Sequence, residues 1–387
     1  MVSSESDQIL IVAGEASGDL HGGHLVRALK AQHPQLQFEG VGGKHMQEAG
    51  VSTLYDISRM GGMGLFEFAN SLWHHIEIYR KLSREIAKGK YRAAILINYP
   101  FFNLKLAKVC KRSNCPALFY ISPQVWASRK SRVNTIRETV SKMYVILPFE
   151  EEIFREAQVD VEYLGHPFID IVQPQVSREE ALKEFGLDSV VKTVGLLPGS
   201  RMSEINYLLD DMIGSAQIIQ KELGQCQFLL PVADSIDPEL IRQKLGENPL
   251  NIKMLTGRNY DVMNCSDTLI MASGSSTLEA GLFTIPMVII YRIHPFTYFI
   301  AKLITHITHF GLINIVAGEE VAPELLNEQV TPERIAAEAL KVLKDPEQAR
   351  AVRERLQKVR ESLGTPGVVA RIARSMADSM NLSSGSQ

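Results

Sequence analysis

The chain has 387 residues, too many for one ordinary hydrophobic core and enough for two domains of roughly 150–200 residues each. Its 45% hydrophobic and 22% charged content exclude a disordered or fibrous chain, and a formal net charge of −3, from 41 basic and 44 acidic residues, gives no support to nucleic-acid binding driven by overall charge. Cys110, Cys115, Cys226 and Cys265 form no Cys-x-x-Cys pair and no zinc-like spacing, the start Met1-Val2-Ser3-Ser4-Glu5-Ser6-Asp7 is too polar for a signal peptide, and no run reaches the roughly 20 apolar residues that cross a bilayer. The expectation is a cytosolic protein with reduced thiols, soluble or resting on a membrane surface.

In chain order, 9–12 reads as a buried strand that leads through a loop with Gly14 and Gly18 into a helix ending near Gln32. A second strand covers 38–41, and a long amphipathic helix pattern runs from 64 to 88. Strand-like runs at 93–97, 117–121 and 143–147 follow, with a helix over 103–111 and an edge strand at 162–164. Pro167, Pro174 and Ser177 mark a linker. The alternation then restarts with strands at 194–197, 228–232, 252–255, 268–272 and 287–290 and a helix over 203–223. The last third is helical at 332–342, 346–363 and 368–379, before a polar tail.

Near-continuous apolar strands alternating with helices indicate parallel sheets covered on both faces. The predicted fold is α/β: two doubly wound, Rossmann-like domains facing a cleft, with a helical C-terminus. The expected division is 1–170, 171–350 and 351–387, the last segment packing back on the first domain or on a second copy of the chain. In such sheets ligands bind beyond the carboxyl ends of the strands.

Three loops carry candidate chemistry. In Leu197-Pro198-Gly199-Ser200-Arg201, Gly199 lets the backbone approach a ligand, Ser200 is a natural N-cap, and the following helix mouth offers unpaired N–H groups. Arg201 adds a forked positive charge suited to phosphate. In Ala272-Ser273-Gly274-Ser275-Ser276-Thr277-Leu278-Glu279, the hydroxyls of Ser275, Ser276 and Thr277 can donate to phosphate, and Glu279 can accept from ribose hydroxyls. A capped helix with an acidic first turn explains the second loop equally well. Together, two anion cradles in one domain suit a nucleoside diphosphate. The third loop, Gly14-Glu15-Ala16-Ser17-Gly18-Asp19, carries two carboxylates that repel a pyrophosphate and suit sugar hydroxyls instead. Asp19 and Ser17 also serve as helix caps in an alternative reading, which does not cover Glu15.

The same motifs continue in Gly40-Val41-Gly42-Gly43, Met63-Gly64, Pro123-Gln124-Val125-Trp126-Ala127, Leu147-Pro148-Phe149-Glu150, Gly165-His166-Pro167, Tyr291-Arg292 and Pro295-Phe296-Thr297. In this order and spacing the chain resembles the lipid-A-disaccharide synthases, glycosyltransferases of the GT-B type, over nearly its whole length. The resemblance implies an inverting transfer from UDP-2,3-diacylglucosamine to 2,3-diacylglucosamine 1-phosphate, giving a β-1′,6-linked lipid A disaccharide 1-phosphate and UDP. It implies peripheral attachment at the cytoplasmic face of the inner membrane and acylated glucosamine lipids as partners. No metal or cofactor is expected beyond the UDP-sugar donor, and homodimers through C-terminal helices are an arrangement the family allows. Asn314 matches a family position near the donor, and His166 one at the hinge.

Apolar side chains crowd two stretches, Leu65, Phe66, Phe68, Leu72 and Trp73, then Phe296, Tyr298, Phe299, Ile300 and Leu303 beside Lys302 and Arg292. They read either as interfacial helices on anionic lipid or as core helices. The chain departs from the family at Asn98, where an Asp is usual and is proposed as the general base. An amide takes up no proton at neutral pH. Glu15, Asp19 or a water then supplies the base, or the chain is a weakened or specialised paralogue that binds UDP-sugar or lipid, or the usual Asp orients rather than ionises. A UDP-sugar 2-epimerase is the rival on the same architecture, since fold alone does not separate them.

Overall fold

The structure is a computed structural model that describes residues 6–57, 65–123, 131–233, 235–246, 250–292 and 309–382, and of 65–73 and 131 the backbone alone. The chain divides into two compact units, Met1–Ile171 with Leu363–Gln387, and Val172–Ser362. Helix Pro346–Ser362 therefore belongs to the second unit and helix Val368–Ser379 to the first.

The first unit is built on seven strands: β1 (Gln8–Ala13), β2 (Gln37–Gly42), β3 (Val51–Asp56), β4 (Ala93–Ile97), β5 (Ala117–Tyr120), β6 (Lys142–Val145) and β7 (Val161–Tyr163). They lie in the order β3-β2-β1-β4-β5-β6-β7, and every neighbouring pair is parallel. Parallel strands need crossovers, and the crossover helices cover both sheet faces. That is why β4 reads Ala-Ala-Ile-Leu-Ile with every residue buried.

The second unit repeats the plan with β8 (Thr193–Leu197), β9 (Gln227–Val232), β10 (Ile252–Thr256), β11 (Thr268–Ala272), β12 (Met287–Tyr291) and β13 (Glu324–Leu326). Their order is β10-β9-β8-β11-β12-β13, again all parallel. In both sheets the chain grows outward on one side, then returns to the middle and grows the other way. The reversal falls between β1 and β4 in the first unit and between β8 and β11 in the second. Such reversals open a crevice at the strands' carboxyl ends, because the flanking loops leave in opposite directions.

Helix Val368–Ser379 buries Val368, Val369, Ile372, Ala373, Met376 and Ala377 in the first unit. Its N-terminus is held by Asp170, whose carboxylate accepts the N–H groups of Gly367 at 2.7 Å and Val369 at 2.8 Å. His166, beside it, is fully buried and its Nδ1 accepts the N–H of Phe168 at 3.1 Å. Burial, and then the neighbouring His21, hold its pKa well below the usual value, so it is a neutral structural histidine. In the second unit the buried Asp261 takes the N–H of Gln175 at 2.8 Å and the Arg258 guanidinium at 2.5 Å, pinning the end of the linker.

Among the described residues no helix is long and apolar enough to cross a membrane. The side chains of Leu65, Phe66, Phe68 and Trp73, and residues Phe296, Phe299 and Lys302 altogether, lie outside the described set. Arg292, the basic residue beside the second apolar stretch, pairs with Asp211 at 2.7 Å and donates to the carbonyls of Tyr207 and Val330.

Candidate active site

In the first unit the register pairs Ala13 with Ile97, so the loops after β1 and β4 start side by side. Glu15 is the N-cap of helix Ala16–Gln32, but its side chain makes no capping bond. It is exposed and instead accepts the Nδ2 amide of Asn98. Asn98 and Tyr99 both adopt left-handed backbone, φ 46° and 49°, which Asn tolerates and which costs roughly 1–2 kcal/mol at Tyr99. The buried Asn103 offsets that cost. Its Nδ2 donates to the carbonyls of Asn98 at 2.8 Å, Ile97 at 3.1 Å and Val12 at 3.4 Å, stitching the two strand ends together.

The left-handed turn brings the Tyr99 ring over Gly14, where any Cβ would overlap it. The Tyr99 hydroxyl lies 2.5 Å from Nε2 of His75, and burial, then the charge of Glu15, raise its pKa. Neither Tyr99 nor His75 stood out in the sequence, because nothing local marks an aromatic that folds back over a glycine 85 positions earlier.

Asp19, expected beside Glu15 as an acid–base candidate or as a cap of its own helix, has a different task. It is buried and accepts the N–H groups of Gly43 at 2.7 Å, His45 at 2.9 Å and Met46 at 3.1 Å. Those groups form the mouth of the short helix Lys44–Glu48. Asp19 therefore closes another segment's unpaired donors. Gly18 is buried behind it and Ser17 is exposed.

In the second unit Leu197 pairs with Met271, so the two expected anion loops flank the reversal point. Gly199 has φ 110°, a backbone that side-chain-bearing residues rarely adopt. The N-cap of helix Met202–Leu223 is Arg201, not Ser200 as expected, because the extended backbone runs one residue further. The Ser200 and Arg201 N–H groups point at the Glu204 carboxylate, at 3.1 and 3.3 Å. The Arg201 guanidinium pairs with the same carboxylate at 3.1 Å.

After β11, Ser275 is exposed and Ser276 half-buried, so both hydroxyls can reach a ligand. Thr277 cannot: it is buried, donates to the Gly274 carbonyl at 2.8 Å and accepts the Ile313 N–H at 3.4 Å. Asn314 is likewise spent on structure. Its Nδ2 donates to Ala322 and Glu324 at 2.7 Å each, and its Oδ1 accepts the N–H groups of Val321 at 2.9 Å and Ala322 at 3.0 Å. All four of its hydrogen-bonding positions hold the 311–324 segment together. Glu279 is the perturbed group of this loop. Burial raises its pKa to about 7, and a hydrogen bond from the Tyr260 hydroxyl opposes part of that rise. Among the described residues no group of three His, Cys, Asp or Glu side chains is placed to share a metal ion.

Two all-parallel sheets, each with polar loops at its reversal point, give the architecture shared by GT-B glycosyltransferases and UDP-sugar epimerases. The match to known proteins gives the particular family. Residues 9–373 match the family described as lipid-A-disaccharide synthetase. The chain is 42% identical over 369 residues to the lipid-A-disaccharide synthase of Syntrophus aciditrophicus, covering 95% of this chain and 96% of that one. It is 43% identical over 373 residues to that of Geobacter sulfurreducens, covering 96% and 97%. The chain belongs to the lipid-A-disaccharide synthase family and is a glycosyltransferase of lipid A biosynthesis. In fold it resembles a UDP-GlcNAc 2-epimerase from Neisseria meningitidis solved with UDP-GlcNAc, at TM-score 0.67, 10% identity and 96% and 100% coverage. A calicheamicin glycosyltransferase superposes at TM-score 0.61 with 14% identity, covering 97% and 98%.

The raised pKa of Glu279 makes stability depend on pH. The folded state favours its protonated form, so the contribution is complete below about pH 4.5 and is lost as pH rises through about 7. Glu279→Gln removes the titration. Its unfolding midpoint should exceed that of the parent at pH 8, by about 1–3 kcal/mol equivalent, and match it at pH 4.5. Thermal scans at the two pH values read this directly; equal shifts at both would contradict it.

Proposed function

We propose that the chain performs the reaction implied by its family: transfer from UDP-2,3-diacylglucosamine to 2,3-diacylglucosamine 1-phosphate, with Glu15 as general base. The observation that carries this is the exposed Glu15 carboxylate, free of capping duty and oriented by the Asn98 amide at the end of β4. Asp19, the other carboxylate of that loop, is closed by three backbone donors. Glu15 takes the proton of the acceptor's 6-hydroxyl as that oxygen attacks the donor's anomeric carbon. The bond from that carbon to the diphosphate breaks, and the pair leaves with UDP. The helix mouth after Gly199 and the Arg201 guanidinium stabilise the charge that develops on the diphosphate. Ser275 and Ser276 donate to phosphate, and Glu279 receives the ribose hydroxyls. The protein itself supplies the electrostatic work, with no cofactor invoked.

Asn98 suits this arrangement. A carboxylate at 98 would face Glu15 as a like charge, so that one of the two would hold a proton near neutral pH. The amide holds Glu15 in place and adds no second negative charge. Glu15→Gln should lower the rate of UDP release with both lipid substrates by about 10²–10⁴-fold. Asn98→Asp should shift the pH–rate profile upward without a large gain. A rise of about 10–1000-fold in the Asp variant, with Glu15→Gln still active, would instead mean that the chain lacks its base.

Acylated substrates suit a peripheral protein at the cytoplasmic face of the inner membrane. Helix Leu65–Ala87 supports this in its second half. Arg80, Lys81 and Arg84, with His74, Glu77 and Tyr55, line a surface cavity of about 530 Å³. Neither Arg80 nor Arg84 has an ion-pair partner among the described residues. Cations beside an apolar helix segment favour anionic lipid. The combined change of Arg80, Lys81 and Arg84 to Glu should weaken co-sedimentation with phosphatidylglycerol vesicles at least about tenfold. Unchanged sedimentation would exclude this face from membrane contact.

A further inference from the structure

The loop that should hold the donor's diphosphate already holds an anion of its own. Glu204, in the first turn of helix Met202–Leu223, turns its side chain back onto the loop. Its Oε2 takes the Ser200 and Arg201 N–H groups, and its Oε1 takes the Arg201 guanidinium. The carboxylate lies against the Cα of Gly199 so closely that a Cβ there would overlap it. The Arg201 side chain is 78% exposed, and Glu204 is its only ion-pair partner among the described residues. Two amides and a guanidinium around a carboxylate are the donor set that a phosphate also selects.

We propose that Glu204 is a displaceable stand-in for the donor's phosphate. In the empty enzyme it occupies the seat, holding the 199–201 turn and the Arg201 guanidinium in their binding form. When the UDP-sugar enters, Glu204 rotates out and yields the two amides and the guanidinium to the diphosphate. This rests on the reading of the loop as the diphosphate seat. Carboxylate and phosphate cannot share these donors, since two anions at hydrogen-bonding distance repel unless one is protonated. The exchange is open to Glu204 because its side chain is partly exposed, at 25%, and belongs to no apolar cluster. The helix stays capped throughout, first by the carboxylate and then by the phosphate.

Displacement has a consequence for selectivity. The binding-competent seat is populated only when Glu204 is out, so every phosphate ligand binds more weakly than the donor set alone would allow. A ligand with the diphosphate's double charge competes best, and uridine, with no phosphate, does not compete for the seat. The same carboxylate returns after transfer and opposes retention of the UDP product.

The test is calorimetric titration of UDP and uridine into the full-length protein and its Glu204→Gln and Arg201→Met variants. Gln keeps the size and the acceptor oxygen but removes the charge. Glu204→Gln should bind UDP about 5–50-fold more tightly than the parent, with uridine unchanged, while Arg201→Met binds UDP more weakly. A Gln variant that binds UDP equally or less tightly than the parent overturns the proposal and makes Glu204 a simple brace of the turn. If the parent binds UDP but Arg201→Met binds it equally well, the diphosphate sits elsewhere, and the functional reading of the loop falls together with the proposal. If neither parent nor variant binds UDP, both are excluded.

Discussion

The loops proposed to carry function depend on two strand pairings, β1 with β4 and β8 with β11. Each joins strands distant in sequence, and each sits where its sheet reverses direction. The register sets Ala13 beside Ile97 and Leu197 beside Met271, so four loops leave the sheets in two adjacent pairs. One pair carries Glu15 and Asn98. The other carries the turn at Gly199 and the hydroxyl-rich turn before Glu279. Hydrogen-bonded parallel backbone, buried on both faces, is rigid enough to hold such loops in place.

The carboxylates at these strand ends fall to different tasks, and the donors each one faces decide which. Asp19 meets three backbone N–H groups in a buried pocket and becomes structural. Glu324, at the start of the edge strand β13, meets the Phe310 and Gly311 N–H groups and the Asn314 amide, and is structural in the second unit. Glu15 meets a single side-chain amide at the surface and keeps acceptor capacity for a substrate. Glu204 lies between these cases, met by two amides and a guanidinium but still partly exposed. Glu279 meets one phenol and little water, which is why its charge is costly. A residue type thus points to chemistry only once its donors are counted.

Much of the fold was legible in the sequence because buried parallel strands read as continuous apolar runs, as in Ile9-Leu10-Ile11-Val12 and Thr268-Leu269-Ile270-Met271. β3 and β13 were not. β3 is an edge strand, Val-Ser-Thr-Leu-Tyr-Asp, whose side chains beyond Val51 are exposed or half-buried, and β13 has three residues. Neither leaves an apolar signature. The loops of the candidate site were legible from their glycines, hydroxyls and charges, but the state of each side chain was not. The partners of Asp19 lie more than 20 positions away, and those of Asn314 come from a loop that returns to it, so no local pattern announces them. Glu204 was not legible either: with Ser200 expected as the cap, the acidic capping position falls on Ser203, and only the observed cap at Arg201 moves it to Glu204.

The central claim is that the two loops at the β8/β11 reversal form the donor seat, and amide hydrogen exchange with and without UDP tests it most directly. The account predicts slower exchange in peptides spanning 198–204 and 273–279 when UDP is present, with the 14–19 and 98–103 peptides of the first unit unchanged. Binding of UDP with no protection at either second-unit loop, or with protection confined to the first unit, would contradict it.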